Sequence, residues 1–418
     1  MHFRLKYLIT LLLVASCLSI SAQERYTLKQ ALQTAKSNNP ELRSERLNID
    51  IAETDITSAK LRPNLNFSAE AVQMMNSSDF EGNTNWNNSP NREEMYQLSK
   101  PFQIAGQLKN KIAVANKNFE LEERLFNEVE RNLFAEVASK WLEVWTAQKQ
   151  LQIIKTAKFN VDTLVQTNQA RYRNLVISKT DLFRTELLAK QYNIQYKTAA
   201  QEVINQQNEL KYLLGLETTI EIDSEDEFLF SIPQNIEDLL EQALENRSDM
   251  QAAKVFSESS DSNIKMQRSF AYPQPELGII YNPQNSVPHF GISASIDLPF
   301  FDRNQGEIKK SQIIKEQADQ EIVTLQTKIE SEINIAFANY QLQKQNIESF
   351  QELLEQSQAI LDKVKYAYLK GGTTIIDFLE AQRSWLETQE AFYEAMQDYR
   401  QGYIQLLFTT GLINQLAQ

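Results

Sequence analysis

Residues 172–185 read YRNLVISKTDLFRT, and residues 368–381 read YLKGGTTIIDFLEA. The second stretch repeats the first at a constant offset. Tyr172 falls on Tyr368, Asp181 on Asp377, and further along Gly215-Leu216 falls on Gly411-Leu412. Upstream, Pro101-Phe102 matches Pro299-Phe300 and Ala31-Leu32 matches Ala243-Leu244. A period of about 200 residues is too long for a solenoid of short repeats. It implies two tandem copies of one large unit, 23–220 and 221–418, behind a leader over 1–22, and hence a pseudo-symmetric molecule.

Each copy follows the same plan. A short amphipathic helix at Thr27–Asn38 (Leu28, Ala31, Leu32, Ala35) stops at Asn39-Pro40, and a second helix runs from about Glu41 to Lys60, ending before Arg62-Pro63. Asn235–Glu245 and Asp249–Arg268 repeat this pattern, closed by Tyr272-Pro273. Strand pairs follow, over about 64–100 and 276–299. His289–Leu298 alternates Phe290, Ile292, Ala294, Ile296 and Leu298 against Gly291, Ser293, Ser295 and Asp297. That is period-two patterning over roughly ten residues, the length that crosses an outer membrane when tilted. Asn64–Ala71 alternates likewise, with return strands at Met95–Lys100 and Leu277–Tyr281, and Asn76–Arg92 reads as an exposed loop. A half-buried sheet with one wet face produces the same alternation. Two strands per copy are a poor sheet alone, and four cannot close a barrel. Membrane-embedded strands of this number would have to be pooled between subunits.

Helical hairpins fill the rest, over about 103–214 and 302–412. Gln103–Ala170 has no Pro and only Gly106, and Gln305–Lys370 has no Pro and only Gly306. Roughly 65 helical residues reach on the order of 100 Å. Phe126, Val129, Leu133, Val137, Trp141 and Val144 recur with a helical step. Phe378, Trp385, Phe392, Tyr399 and Leu406 recur every seven, with Ala381, Thr388, Ala395 and Gly402 between them, a coiled-coil seam of large and small side chains. These stripes read as core packing.

Arg4 and Lys6, the apolar run Leu8–Val14 and small residues before Gln23 form a secretory signal, too short to span a bilayer. Two readings of its end stand: Val14-Ala15-Ser16-Cys17 resembles a lipobox that would leave Cys17 lipidated, and Ser21-Ala22-Gln23 offers an ordinary cleavage site, favoured because Leu18–Ile20 stay apolar. Cys17 is the one cysteine, so no internal disulfide is possible, and two histidines leave no room for a His/Cys metal site. A net charge of −13 argues against a nucleic-acid partner. Gly and Pro number ten each in 418 residues, a composition of long helices. No phosphate loop and no nucleophile constellation is present, so the sequence points to neither an enzyme nor a cofactor.

With these parts assembled, the chain resembles the TolC family of outer-membrane efflux ducts. The specific motif is Leu298-Pro299-Phe300-Phe301-Asp302-Arg303-Asn304-Gln305-Gly306, in the form most like the subgroup paired with heavy-metal efflux pumps. The resemblance implies a mainly α fold with a small transmembrane β part and a homotrimer. Its four strands per protomer would form one twelve-stranded barrel in the lipid of the outer membrane, and its helices a periplasmic coiled-coil barrel. It implies as partners a periplasmic adaptor and an inner-membrane pump of the RND type. Within the motif, Pro299 is expected to end the strand and Asp302 to cap the helix.

The resemblance also places the functional residues at the hairpin turns. An acidic ring at the periplasmic entrance maps to Asp377 and Glu380, where a focused negative field would draw cations. Thr374–Asp377 and Ser178–Asp181 equally fit capping boxes, and the two roles can coexist. Polar gate contacts map to Tyr368, Asp181 and Thr180, while the arginine expected before Asp377 is replaced by Thr373. The adaptor-docking turns are Asn174, Leu175, Val176, Ile177 and Ser178, and Gly371, Gly372, Thr373 and Thr374. Asn174, where the family commonly has glycine, is a tolerable change because asparagine can occupy the left-handed region. The rival readings are a soluble periplasmic coiled-coil scaffold or adaptor, and a type I secretion duct for polypeptides.

Overall fold

A computed structural model describes residues 25–80, 82, 88–225, 235–283 and 287–417. The signal segment with Cys17, and parts of the Asn76–Arg92 loop, lie outside the described residues. In chain order the elements are β1 (Arg25–Tyr26), α1 (Leu28–Asn38), α2 (Pro40–Lys60), β2 (Asn66–Gln73), β3 (Arg92–Pro101), α3 (Gln107–Arg173), α4 (Lys179–Leu213), β4 (Glu221–Ile222), α5 (Ile236–Asn246), α6 (Ser248–Phe270), β5 (Glu276–Asn282), β6 (His289–Ser295), α7 (Gln305–Lys370) and α8 (Ile375–Thr409). They form two compact units. One contains the chain up to Ser44, Glu128–Arg247 and the chain from Lys328; the other contains Glu45–Asn127 and Ser248–Thr327.

In the first unit, the predicted helical stripe becomes core: Leu133, Val137, Trp141 and Val144 are all buried. The indole of Trp141 donates to the Tyr26 carbonyl at 3.0 Å, and that of Trp145 to the Ser224 carbonyl at 2.9 Å. These bonds hold the short parallel pair β1–β4, which the sequence reading missed because two-residue strands carry no periodicity. Two buried arginines close the C-terminal end of α8. Arg131 donates to the Phe408 carbonyl at 2.7 Å while paired with Glu128, and Arg247 donates to the Thr409 carbonyl at 3.2 Å while paired with Glu332 at 2.6 Å. Cations there complement the partial negative charge of the unpaired carbonyls. Below them, Phe378, Ala381 and Trp385 of the heptad seam, with Leu386 beside them, pack with Ile154, Ala157, Val161 and Leu164 of α3.

The second unit carries the sheet, antiparallel in the order β2-β3-β5-β6, so one strand pair from each repeat joins edge to edge. His289–Leu298 was expected to be strand throughout, but pairing stops at Ser295, opposite Glu276. The partner strand can extend no further because Pro273 and Pro275 precede it. Asp302 is also not the helix cap. Its carboxylate accepts from the amide of Asn304 at 2.8 Å, forming a turn just before α7 rather than covering an amide inside it. In the same unit α6 is serine-rich and packs closely. Ser257 donates to Asp319 at 2.8 Å and Ser259 to Asn118 at 2.6 Å, so the small polar residues are satisfied where helices meet.

Candidate functional site

The two hairpin turns are built alike. At the end of α3 the Leu175 amide donates to the Tyr172 carbonyl and the Val176 amide to the Arg171 carbonyl, both at 2.9 Å. At the end of α7 Gly371 donates to Tyr368 at 3.0 Å and Gly372 to Ala367 at 2.8 Å. This is the Schellman pattern, which needs one left-handed residue at each helix end. Gly371 (φ 79°) supplies it in the second turn and Leu175 (φ 62°) in the first. The left-handed position thus falls on Leu175, one residue beyond Asn174. Gly215 and Gly411 close α4 and α8 in the same way.

After each turn a capping box starts the return helix. Ser178 accepts from the Asp181 amide at 3.1 Å, while Asp181 accepts from the Ser178 amide at 3.3 Å. In the second turn Thr374 accepts from the Asp377 amide at 3.2 Å. The Asp377 carboxylate takes three bonds in return: from the Thr373 hydroxyl at 2.6 Å, the Thr374 hydroxyl at 2.7 Å and the Thr374 amide at 3.0 Å. The threonine hydroxyls and this amide hold its carboxyl below the ordinary aspartate value, so it is ionised at neutral pH. A depressed pKa stabilises the cap above the ordinary value, and that contribution disappears as pH falls through the lowered one. Glu380 is exposed and faces Arg383 at 3.7 Å, a surface pair of little energetic weight.

Tyr368 lies beneath the turns and is 3% exposed. Its hydroxyl donates to Asn168 Oδ1 at 2.7 Å, and Asn168 Nδ2 donates to Thr185 Oγ1 at 2.9 Å. Thr185 in turn donates to the Asp181 carbonyl at 2.9 Å. The Arg171 guanidinium sits 4.7 Å above the Tyr368 ring and donates to the Tyr368 carbonyl at 3.2 Å, and Phe378 stacks against the ring at 5.6 Å. Burial pushes the phenol up; the arginine and Asn168 oppose the shift. Within the protomer, therefore, Tyr368 is tied to Asn168 and Arg171 rather than to the side chains of Asp181 and Thr180. Asn168 had a sequence signal. Ile154, Ala157, Val161 and Leu164 step along one buried stripe of α3, and the next position on it is polar.

The sheet supplies the second functional surface. One row crossing all four strands is Phe67–Leu98–Ile279–Ile292, and the next is Ala69–Tyr96–Tyr281–Phe290. The row on the opposite face is Asn66–Ser99–Gly278–Ser293. On β3, β5 and β6 the apolar face is the more exposed one: Leu98 is 38% exposed and Ile292 84%, whereas Ser99 is 3%; on β2, an edge strand, both faces are exposed. Polar side chains are crowded together: Gln97 donates to Ser293 at 3.1 Å, Ser99 bonds Glu276, and a Cβ on Gly278 would lie 2.7 Å from Ser293 Oγ. A sheet with a wet face would show the reverse, so the half-buried reading fails. Apolar outside and polar inside is the pattern of a strand set facing lipid. Among the described residues no helix is long and apolar enough to cross a membrane, and no cluster of three or more His, Cys, Asp or Glu side chains is placed to hold a metal ion.

The family model for outer membrane efflux proteins matches residues 31–216 and 239–412, one stretch in each repeat. The chain belongs to the outer membrane efflux protein family. Among similar proteins, the probable outer membrane lipoprotein SilC of Salmonella typhimurium is 23% identical over 90% of this chain and 84% of its own length. The cobalt-zinc-cadmium resistance protein CzcC of Cupriavidus metallidurans is 21% identical over 87% and 84%. The solved structure of CusC superposes with a TM-score of 0.76 at 21% identity, covering 92% of each chain. The fold is that of the TolC-like channels, and the protein is an outer-membrane exit duct of a tripartite efflux system.

Proposed function

We propose that this duct works as a homotrimer whose strands combine into one twelve-stranded barrel, built from tandem repeats over 23–220 and 221–418. The observation that carries this is the inverted sheet. Four strands expose apolar rows outward and cannot close on themselves, so neighbouring copies must supply the missing edges. The Asn174–Ser178 and Gly371–Thr374 turns receive a periplasmic adaptor, which couples the duct to an inner-membrane pump of the RND type. Cargo is a heavy-metal cation or a drug: among the relatives, CzcC is a cobalt-zinc-cadmium resistance protein and CusC of Escherichia coli a cation efflux system protein, while ArpC of Pseudomonas putida is an antibiotic efflux pump outer membrane protein. Tyr368 from the second hairpin and Asp181 and Thr180 from the first belong to the gate.

Planar-bilayer recording of the purified protein tests the duct. Discrete conductance from a trimeric species supports it, and a folded oligomer that never inserts rejects it. For the acidic entrance, Glu380→Gln is the cleaner variant, because Asp377 also caps α8 and Glu380 holds only a weak surface pair. Glu380→Gln is expected to lower the cation-over-anion permeability ratio by roughly a factor of a few without changing stability. An unchanged reversal potential would remove Glu380 from the ring.

A further inference from the structure

A leucine at φ 62° on an exposed turn is costly where glycine adopts the same conformation freely. The second repeat shows the alternative, with Gly371 closing the equivalent turn. Leu175 does not repay its strain within the protomer, since its side chain is 90% exposed. Val176 beside it is 61% exposed. Strain kept at a surface position with no internal packing points to a use outside the chain. The surroundings define the partner. In a chain of net charge −13, residues 171–179 carry Arg171, Arg173 and Lys179 and no carboxylate. Arg171 is engaged by Tyr368, and Lys179 lies 5.2 Å from the Phe183 ring. Arg173 and Lys179 are exposed and form no ion pair among the described residues.

We propose that Leu175 is the specificity-determining contact of the first docking turn, a knob that the left-handed backbone holds outward for an apolar socket rimmed by acidic residues on the adaptor. This rests on the reading of the turns as adaptor-facing. The second turn offers Gly371 and Gly372 at the matching positions, so it presents backbone and no knob. The two turns of one protomer are therefore not interchangeable to the adaptor, despite the repeat that generates them.

The test sets stability and binding against each other. Full-length protein in detergent, as wild type, L175G and L175M, is titrated with each purified periplasmic adaptor of the producing bacterium, and denaturation midpoints are measured in parallel. The expected result is that L175G raises the midpoint, because the strain is gone, yet binds its adaptor about 10- to 100-fold more weakly, the worth of one buried leucine side chain. L175M, which keeps an apolar knob, stays within a few-fold of wild type. Equal binding by L175G and wild type would overturn the role of Leu175 while leaving the docking turns in place. Weaker binding together with a lower midpoint would return Leu175 to a structural role. Failure of every adaptor to bind wild type would overturn the adaptor-facing reading and the proposal with it.

Discussion

Replacing Ile279 by arginine is expected to leave the helical unit folded and to keep the protein out of the outer membrane. Ile279 stands in the central apolar row, between Leu98 and Ile292, and is exposed at the position where lipid would cover it. An arginine on the lipid face near the midplane costs about 2–4 kcal/mol. In a trimer the cost falls three times on one barrel, enough to compete with the net stability of a typical domain. Ser68→Arg is the matched control, because Ser68 lies on the polar face of an edge strand, where a barrel lumen would hydrate the charge. The measurement is the fraction of each variant recovered as heat-modifiable oligomer in purified outer membranes. Recovery of I279R at the wild-type level would mean that this face does not meet lipid.

The second large effect is expected at Asn168. Its fully buried amide is the middle link between Tyr368 on α7 and Thr185 on α4. Asn168→Ala would leave the Tyr368 hydroxyl without its acceptor and open a small void, together costing roughly 2–4 kcal/mol. The double variant Asn168→Leu/Tyr368→Phe removes both partners and should recover much of the loss, because an apolar pair has nothing left unsatisfied. Denaturation midpoints of the single and double variants give the coupling directly. A single variant within about 0.5 kcal/mol of wild type would show that the link carries no load. If this link restrains α7 beneath the turn, N168A also opens more readily, read as longer or larger conductance events in the bilayer.

What the sequence made legible follows from where periodicity is long. Gln305–Lys370 matched its helix end to end, since 66 residues with no proline and one early glycine admit no other reading. The heptad seam of α8 and the capping boxes at Ser178 and Thr374 were visible because side-chain spacing alone defines them. The errors came from geometry that spacing does not encode. His289–Leu298 keeps its alternation beyond Ser295, but pairing stops because the proline-rich approach to β5 offers no partner. Asn174 is able to take the left-handed conformation on propensity, whereas the hydrogen bonds of the helix end put it one residue later, on Leu175. Asn168, Thr185 and Arg171 lie below the exposed turn residues, and only Asn168, a polar side chain on a buried stripe, carries a sequence signal of its role.

The sheet also has two unfinished margins, β2 and β6, flanking the oily rows. A newly exported copy thus crosses an aqueous compartment with open main-chain edges and uncovered apolar side chains, the combination that seeds aggregation. Its time in transit must be short or escorted, and a barrel pooled between copies, as proposed, would require them to meet before they misassemble. Raising synthesis speeds productive encounters and off-pathway ones alike. The duct is therefore a protein with a ceiling on safe supply, beyond which added chains become periplasmic debris instead of channels.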